Sequence, residues 1–369
     1  MKDPTRYTLL ALVIGILGIS IYFLSDSAIV IETKTEILPV SVATEKEGMY
    51  QHAREISAPS GFVNTNGKPV TIGEFIGKKV ILVDFLTYSC INCTRVQPYL
   101  NAWHEKYSDQ GLQIIGIHTP EFEFEKNITN VERAMRDMEV KYPVVLDNDY
   151  GTWHAYQNSY WPRKYLIDID GYVVYDHIGE GGYDDTEHTI RRLLDERAAR
   201  LGDKMSTVKE LVSLTDVESV TDHMPRTPEI YFGSLRNTSY LANGTAGHTG
   251  PQNFSIPSLI QTNSLYLGGP WKIESEHAKG MAGSSIKIRY QAKKVFFVAS
   301  GDGGARIKVF IDGKPIHSSV RGRQVGPDST VSIEKDDLYR LIESDSWGEH
   351  TLDITVEEGE LSAFTFSFG

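Results

Sequence analysis

Short apolar runs alternate with amphipathic segments over residues 53–200, which predicts alternating strands and helices. The runs that predict buried strands lie at residues 79–86, 112–118, 142–146, 163–169 and 172–177. The segments that predict helices lie at residues 94–108, 127–139 and 185–200. Asn66-Gly67 predicts a hairpin within residues 62–72, and Asp170-Gly171 predicts another between the last two strands. These elements predict an α/β sandwich with a mixed central sheet.

The pattern changes after residue 226, where alternating or wholly apolar runs are separated by Gly, Asp and Asn. These runs lie at residues 285–290, 294–298, 307–311, 330–333, 352–356 and 363–368. Asp312-Gly313, between two apolar runs, is a strong hairpin signal. Residues 227–369 are therefore predicted to form an all-β, antiparallel sandwich of jelly-roll type. Residues 201–226 are predicted to be a linker, with a short helix near residues 208–214.

The N-terminal segment combines positive charge with a long apolar run. Lys2 and Arg6 precede the uncharged residues 8–24, which at about 1.5 Å per residue nearly span a bilayer core of roughly 30 Å. We expect one transmembrane helix, a signal anchor at residues 1–25, and a stalk at residues 26–52. The positive flank predicts that the domains lie on the extracytoplasmic side of the cell membrane. A cleaved signal peptide is the alternative.

Length and composition narrow the classes of protein further. A chain of 369 residues favours two domains plus appendages. With 40% apolar and 10% aromatic residues, the chain can form cores and is not disordered. The net charge of −12, without clustered Lys and Arg, argues against nucleic acid as a partner.

The two cysteines of the chain, Cys90 and Cys93, directly follow the apolar run at 79–86. A strand that leads a Cys-x-x-Cys pair into a helix places Cys90 at the helix N-terminus. There the backbone N–H groups and the macrodipole favour thiolate over thiol, so Cys90 is predicted to be the nucleophile of thiol–disulfide exchange. A structural disulfide of this spacing would close only a very small loop and would stabilise little. A zinc site would need further ligands, such as His118 or His154.

Four features in residues 53–200 carry a family resemblance. They are Val83-Asp84-Phe85, the Cys90/Cys93 pair, Pro98, and Trp161-Pro162 before a predicted strand. With them, the domain resembles the thioredoxin superfamily and, within it, the TlpA and redoxin-like branch. The sequences around Cys90, His118 and Trp161 look closer still to DipZ-type proteins. In those, a similar domain precedes a β-sandwich that resembles a carbohydrate-binding module.

The resemblance implies a role for each matching residue. Cys90 exchanges with a partner sulfur, and Cys93 resolves the mixed disulfide. Asp84 has the position of a buried carboxylate that accepts the proton of the second thiol, and burial is expected to raise its pKa towards neutrality. Alternatively, Asp84 is only hydrogen-bonded at a strand end. Pro162 matches the family's cis-proline, which places the backbone of Trp161 where an extended substrate can pair with it.

The sequence departs from thioredoxin between the cysteines, where Ile91 and Asn92 replace Gly-Pro. These two residues are expected to contact the substrate, and the family's redox potential and partner choice do not carry over. Neither residue is cationic, which disfavours the very acidic thiolate of strong oxidants and slightly favours a reductant or isomerase.

A thiol peroxidase is the alternative enzyme, because Thr87-x-x-Cys90 matches the Thr-x-x-Cys of peroxiredoxins. Arg163 would then orient the peroxide, although Val83 stands where that motif has proline. His118 and Glu121 are further candidates for the border of the active site, although a histidine at a strand end is more often structural.

The all-β region offers an alternative without catalysis, namely a scaffold or a glycan-binding surface protein. Its aromatic residues could form a sugar-stacking platform or belong to the core, and they are Tyr240, Tyr266, Trp271 and Trp347. The intact cysteine pair with Asp84 and Pro162 favours the enzyme. We therefore expect a membrane-anchored thiol–disulfide oxidoreductase that reduces protein disulfides, with no metal and no cofactor beyond the Cys90–Cys93 disulfide. With one apolar span, the chain is expected to receive electrons from a separate membrane protein, plausibly of the CcdA type by resemblance.

Overall fold

A computed structural model describes residues 46–204, 210–215, 226–245, 247–301 and 303–369 of the chain. The predicted signal anchor and most of the predicted stalk lie outside these residues. Within them, no helix is both long and apolar enough to cross a membrane. The short helix predicted near residues 208–214 lies partly outside the described ranges, and its described part, residues 210–214, is not helical.

Residues 51–201, here called the α/β domain, contain seven strands and four helices. The strands are β1 (Gln51–His52), β2 (Gly61–Val63), β3 (Val80–Leu86), β4 (Leu112–His118), β5 (Val144–Leu146), β6 (Arg163–Ile167) and β7 (Tyr172–Ile178). The helices are α1 (Ile91–Tyr107), α2 (Ile128–Asp137), α3 (Gly151–Ala155) and α4 (Tyr183–Leu201). They form one mixed sheet in the order β1-β7-β6-β3-β4-β5-β2. Strands β3, β4 and β5 are parallel, and the other neighbours are antiparallel.

The central strand β3 is buried on both faces, as its unbroken apolar sequence predicts. Leu82 belongs to the core cluster beside α1 and α4, whereas Val83 and Phe85 belong to the cluster on the other face of the sheet. Asp84 is the one charged residue in this strand. Its side chain therefore needs compensation from groups next to the strand.

The hairpin predicted within residues 62–72 is wrong. β2 pairs with β5 instead, and residues 68–72 are not a strand. The chain does turn at Asn66 and Gly67, both with positive φ. Val70 and Ile72 are nevertheless buried, so their apolar character anchors a loop to the core.

The described part of residues 230–369, here called the β domain, contains ten strands, and the pairings between these strands are antiparallel. The strands are β8 (Ile230–Tyr231), β9 (Gly250–Phe254), β10 (Leu265–Ile273), β11 (Ala278–Met281), β12 (Ser285–Gly301), β13 (Ala305–Ile311), β14 (Lys314–Pro315), β15 (Thr330–Ile333), β16 (Asp337–Glu358) and β17 (Glu360–Phe368). The predicted hairpin at Asp312-Gly313 joins β13 to β14. An all-antiparallel domain follows the α/β domain, as the alternating pattern predicts.

Strand β12 merges two predicted strands. The runs at 285–290 and 294–298 belong to one continuous strand. A register shift between Ala292 and Lys294 accommodates the residues between them, and pairing with β16 continues on both sides of it. One edge of β12 pairs with β16, while its other edge pairs first with β10 and then with β17. Since β10 and β17 both pair with β11, these four strands close a cycle.

Of the two interpretations left open for the aromatic residues, a sugar-stacking platform or core, burial supports the core for two of the four. Tyr266 is 4% exposed and Trp271 is 2% exposed, so both are buried, and Trp271 belongs to the apolar core of the β domain. Tyr240 and Trp347 are partly buried against that core. The rings of Tyr266 and Trp271 are therefore not available to stack on a sugar.

The two domains share an apolar cluster. Its members are Ile91, Phe122, Phe296, Val298, Leu338 and Phe364. The ring of Phe364 meets those of Phe122 and Phe124 edge-on, with centroid distances of 5.0 and 4.8 Å. The β domain is therefore packed onto the segment that follows β4.

Phe364→Ala is expected to lower the free energy of unfolding by about 3 kcal/mol, because it leaves a cavity at this junction. Denaturant titration followed by tryptophan fluorescence measures the change. Leu235→Ala is the control, since Leu235 is 70% exposed and its loss should cost less than about 0.5 kcal/mol. Equal effects of the two variants would contradict a packed junction.

Candidate functional site

The two cysteines occupy the start of α1. Cys90 is the N-cap residue in an extended conformation, with φ −78° and ψ 119°, and its side chain makes no capping hydrogen bond. Cys93 lies in the first turn and is 4% exposed, whereas Cys90 is partly exposed. Both are free thiols in this structure. The pair therefore has an outer sulfur that a partner can reach and an inner sulfur that it cannot.

Asp84 lies buried behind the inner cysteine. It is 1% exposed, and its Oδ1 has no hydrogen-bond partner among the described residues. Burial raises the pKa of Asp84 from 3.8 to about 7, although the nearby Lys164 opposes the rise. A carboxyl group with this pKa can take up or release a proton near neutral pH.

The pKa of Cys93 is raised well above its usual value. Burial is the main cause, followed by the hydrogen bond with Cys90 and the charges of Cys90 and Asp84. Cys93 therefore stays protonated until its proton can be transferred. Asp84 is the group in the structure that is placed to receive it.

Lys164 is one residue of the site that was not predicted from the sequence. It lies directly opposite Asp84 in the β3–β6 pairing, is 0% exposed, and donates a hydrogen bond from Nζ to the Gly179 carbonyl at 3.2 Å. Burial lowers the pKa of Lys164, while Asp84 and Cys93 act in the opposite direction. The sequence contains one sign of this role. Lys164 is a charged residue in a mainly apolar strand that directly follows Trp161-Pro162.

Lys164→Met is expected to raise the pKa of Asp84 further, because it removes the positive charge that opposes the effect of burial. The single-turnover rate of closing the Cys90–Cys93 disulfide, measured against pH, should shift its midpoint upwards by about one pH unit. Lys314→Met, which changes the same charge at an exposed position of the β domain, should leave the profile unchanged. Identical profiles for Lys164→Met and the wild type would contradict the coupling.

His118 is a structural residue of the site. It is 0% exposed, its Nε2 accepts a hydrogen bond from the Tyr88 backbone N–H at 3.3 Å, and burial lowers its pKa to about 3. The Tyr88 ring also stacks on it. His118 thus stays neutral and holds the loop before Cys90, and neither it nor His154 groups with the cysteines as ligands among the described residues.

Glu125 fixes the same loop from another side and was also missed. It is fully buried and accepts hydrogen bonds from the Ser89 hydroxyl at 2.6 Å and from the Phe122 backbone N–H at 3.0 Å. Ser89 directly precedes Cys90. The carboxylate therefore ties the cysteine loop to the segment after β4.

Glu121 contacts the β domain. Its Oε1 accepts a hydrogen bond from the Tyr231 hydroxyl at 2.8 Å and pairs with Arg236. Burial and the neighbouring Glu229 raise the pKa of Glu121 to about 7, against the effect of Arg236. It lines the same cleft as Cys90, so it borders the site and joins the two domains there.

Trp161 and Pro162 lie on the other side of Cys90, and the peptide bond between them is cis. Trp161 packs on Trp153 with a centroid distance of 4.4 Å and lines the cleft. Its backbone N–H and C=O groups have no hydrogen-bond partner among the described residues. They are therefore free to pair with an incoming chain.

The residues named for peroxide chemistry are not assembled around Cys90. Thr87 is fully buried, and its carbonyl accepts a hydrogen bond from the Cys90 N–H at 3.3 Å. Arg163 pairs with Asp176 at 2.7 Å, lies over the Tyr165 ring, and does not line the cleft. This placement does not favour a peroxide-orienting role for Arg163.

Ile91 and Asn92 differ in their access to a substrate. Ile91 is 5% exposed and packs in the junction cluster with the β domain, whereas Asn92 lies within reach of Arg95, with a 3.5 Å contact. Arg95 in turn pairs with Glu180 and lies over the Phe296 ring. Asn92 is partly exposed, so its side chain is the more accessible of the two to a substrate.

Three carboxylates away from the cysteines have the spacing of a metal site. They belong to Asp168, Asp170 and Glu196, whose ligand atoms lie within 4.8 Å of one another. Asp168 already accepts hydrogen bonds from two backbone N–H groups, and Asp170 pairs with Arg200. The cluster is explained by these contacts.

Two family models match the chain. Residues 52–194 match the model described as Redoxin, and residues 227–369 match the model described as Thioredoxin like C-terminal domain. Together the matches cover both domains of the fold. The likeness predicted from the cysteine, aspartate and proline positions is thus confirmed.

Known proteins are similar to this chain over different shares of its length. Protein DipZ of Mycobacterium tuberculosis is 36% identical over 319 residues, which cover 86% of this chain and 43% of DipZ. Thiol-disulfide oxidoreductase YkuV of Bacillus subtilis is 29% identical over 131 residues, which cover 36% of this chain and 87% of YkuV. Thiol-disulfide oxidoreductase ResA of Bacillus cereus is 29% identical over 127 residues, which cover 34% of this chain and 70% of ResA. The chain thus spans less than half the length of DipZ.

Proposed function

We propose that this chain, whose residues 52–194 match the Redoxin model and which is similar to DipZ over 86% of its length, reduces disulfide bonds of proteins outside the cytoplasm. The observation that carries this proposal is the arrangement of three groups. A partly exposed Cys90 lies in front of a buried Cys93, and a buried Asp84 with a pKa of about 7 lies behind them.

The reduction proceeds in two exchanges. The Cys90 thiolate attacks one sulfur of the substrate disulfide, so a mixed disulfide forms and the other substrate sulfur leaves as a thiolate. Cys93 then transfers its proton to the Asp84 carboxylate and attacks the Cys90 sulfur. The second substrate sulfur leaves as a thiolate, and Asp84 returns its proton to the solvent. The substrate has then gained two electrons from the two cysteines and takes up two protons from the solvent, and the protein retains a Cys90–Cys93 disulfide.

The backbone next to Pro162 supports substrate binding. Trp161 lines the cleft that contains Cys90, and its backbone N–H and C=O groups have no partner among the described residues, so an extended segment could pair with them as an added strand does. This pairing would hold the substrate sulfur near Cys90 during the first exchange.

The electron source and the location are parts of the same proposal. Residues 8–24 would anchor the chain in the cell membrane with its domains on the extracytoplasmic side, as their apolar composition and positive flank suggest. A membrane protein of the CcdA type, with a dithiol of its own, would reduce the Cys90–Cys93 disulfide after each turnover. Proteolysis of intact cells tests the location, because external protease should digest the domains.

The reduction potential of the Cys90–Cys93 pair tests the direction of electron flow. The protein is equilibrated in dithiothreitol and glutathione buffers of known potential, and its free thiols are trapped and counted. A value near that of thioredoxin, about −270 mV, supports a reductant. A value near about −120 mV would make the protein an oxidant and overturn the proposed direction.

A further inference from the structure

Cys90 opens into a cleft that both domains line. The cleft has a volume of about 640 Å³. Its wall on the α/β domain includes Cys90, Asn92, Tyr160 and Trp161. The opposite wall is formed by the β domain, with Tyr231, Val298, Ser367 and Phe368, and by Pro228 and Glu229 of the segment that leads into its first strand. A substrate that reaches the Cys90 sulfur therefore also meets the β domain.

Contacts on several sides hold this second wall in place. The apolar junction cluster packs the β domain against Ile91, in the same turn as the cysteines. Next to the cleft, Tyr231 is hydrogen-bonded to Glu121. Farther along the junction, Arg133 pairs with Asp337 at 2.8 Å. Because apolar packing and ion pairs act together at separate points, the wall is a fixed part of the site.

The charges in the cleft balance one another. The basic side chains are Arg95, Arg226 and Arg236, and the acidic ones are Glu121, Glu180 and Glu229. Two of the arginines pair with two of these carboxylates across the cleft lining. Such a lining exerts little net attraction for either sign of charge. Selection at this site therefore depends on shape.

The size of the cleft favours disulfides on flexible segments over disulfides on the surface of a folded protein. A pocket of roughly 300–1,000 Å³ encloses a small ligand or a few residues of chain. The surface of a folded partner docks through about 800 Å² of each protein, which needs an open face. Between two fixed walls, a segment one chain wide reaches Cys90, whereas a globular surface meets the β domain first.

We propose that the β domain acts as a selectivity wall, which admits cysteines on extended, flexible segments and excludes disulfides held on the surface of folded domains. This proposal rests on the proposed reductase function and names the substrate class of the same site. Tyr160, which is 51% exposed, and the free backbone of Trp161 form the side along which the segment lies.

Two substrates with the same leaving group test the proposal. One is a flexible peptide whose cysteine carries a fluorescent thiol in a mixed disulfide, and the other carries that mixed disulfide on a helix of a folded carrier protein. The wild-type protein, reduced by dithiothreitol, is expected to show a kcat/KM about tenfold or more higher for the peptide. 2-Hydroxyethyl disulfide serves as the control substrate, because it is small enough to reach Cys90 without steric hindrance from the walls.

Bulky substitutions on the wall make the test specific. Ser367→Trp and, independently, Pro228→Trp should fill the cleft and lower kcat/KM for the peptide about tenfold more than for 2-hydroxyethyl disulfide. Ser332→Trp is the matched control, because Ser332 is exposed on β15 and does not line the cleft. Its three rate constants should equal those of the wild type.

The outcomes separate the two proposals. Equal kcat/KM values for the peptide and the folded carrier in the wild type would overturn the selectivity wall. The same holds if both wall variants slow the peptide and the small disulfide equally. If the wild type reduces none of the three disulfides, the proposed reductase function itself fails.

Discussion

Cys90→Ser is expected to reduce disulfide turnover to the uncatalysed rate, because the serine hydroxyl does not ionise near neutral pH and cannot attack sulfur. Cys93→Ser is expected to stop turnover at a different point. Its Cys90 remains partly exposed at the end of α1 and still attacks the substrate, but the mixed disulfide is not resolved. Mass spectrometry after acid quenching should show this adduct in Cys93→Ser and not in Cys90→Ser.

The order of the two cysteines is what this pair of variants tests. Far-UV circular dichroism and thermal unfolding serve as the control, since both substitutions change one atom and should leave the fold intact. A stable adduct on Cys93 in the Cys90→Ser variant would contradict the assigned order. It would require the inner, buried sulfur to meet the substrate first.

Asp84→Asn is expected to slow resolution of the mixed disulfide by about 100-fold, because the amide cannot accept the Cys93 proton. It is also expected to stabilise the fold at neutral pH. The carboxyl has a pKa of 3.8 outside the fold and about 7 within it, so the folded state holds an extra proton between these values. The contribution of Asp84 to wild-type stability is therefore most favourable below about pH 4 and falls as the pH rises towards 7.

The size of this stabilisation follows from linkage. A rise of about three pKa units corresponds to about 4 kcal/mol at pH 7 and above. The pKa of about 7 already includes the attraction to Lys164, so a gain of about this size is expected for the Asn variant. Denaturant titrations at pH 4 and pH 8 measure both ends. A variant that is slower but no more stable at pH 8 would show that Asp84 carries no burial penalty in the folded protein.

The framework of the α/β domain was predictable because its signals are local. Strands β3 and β4 are apolar runs bounded by turns, and their bounds in the structure lie within one residue of those predicted. The cysteine spacing and the strand before it predict the position of the pair on α1. Short-range sequence patterns decide each of these features.

Features that depend on distant pairing were not predictable. Lys164 is charged, and a charged residue in a strand is usually expected to face the solvent. Only its position opposite Asp84 in the sheet explains its burial. The contact of Glu121 with Tyr231 and that of Tyr88 with Asp336 join residues far apart along the chain. A single sequence gives no sign of which surfaces will meet. The shared cleft was therefore visible only in the structure.

The edge strands of the sheet in the α/β domain affect the solubility of the protein. β1 has two residues and β2 has three, so each margin offers few unpaired N–H and C=O groups to another molecule. In the β domain, strands β10, β11, β17 and β12 pair in a closed cycle, so none of them has a long unpaired edge. Short or paired margins are how natural sheets avoid stacking edge to edge into aggregates. A protein whose proposed substrates are extended, flexible segments gains from such edges, because these segments find few open strands to which they could add outside the site.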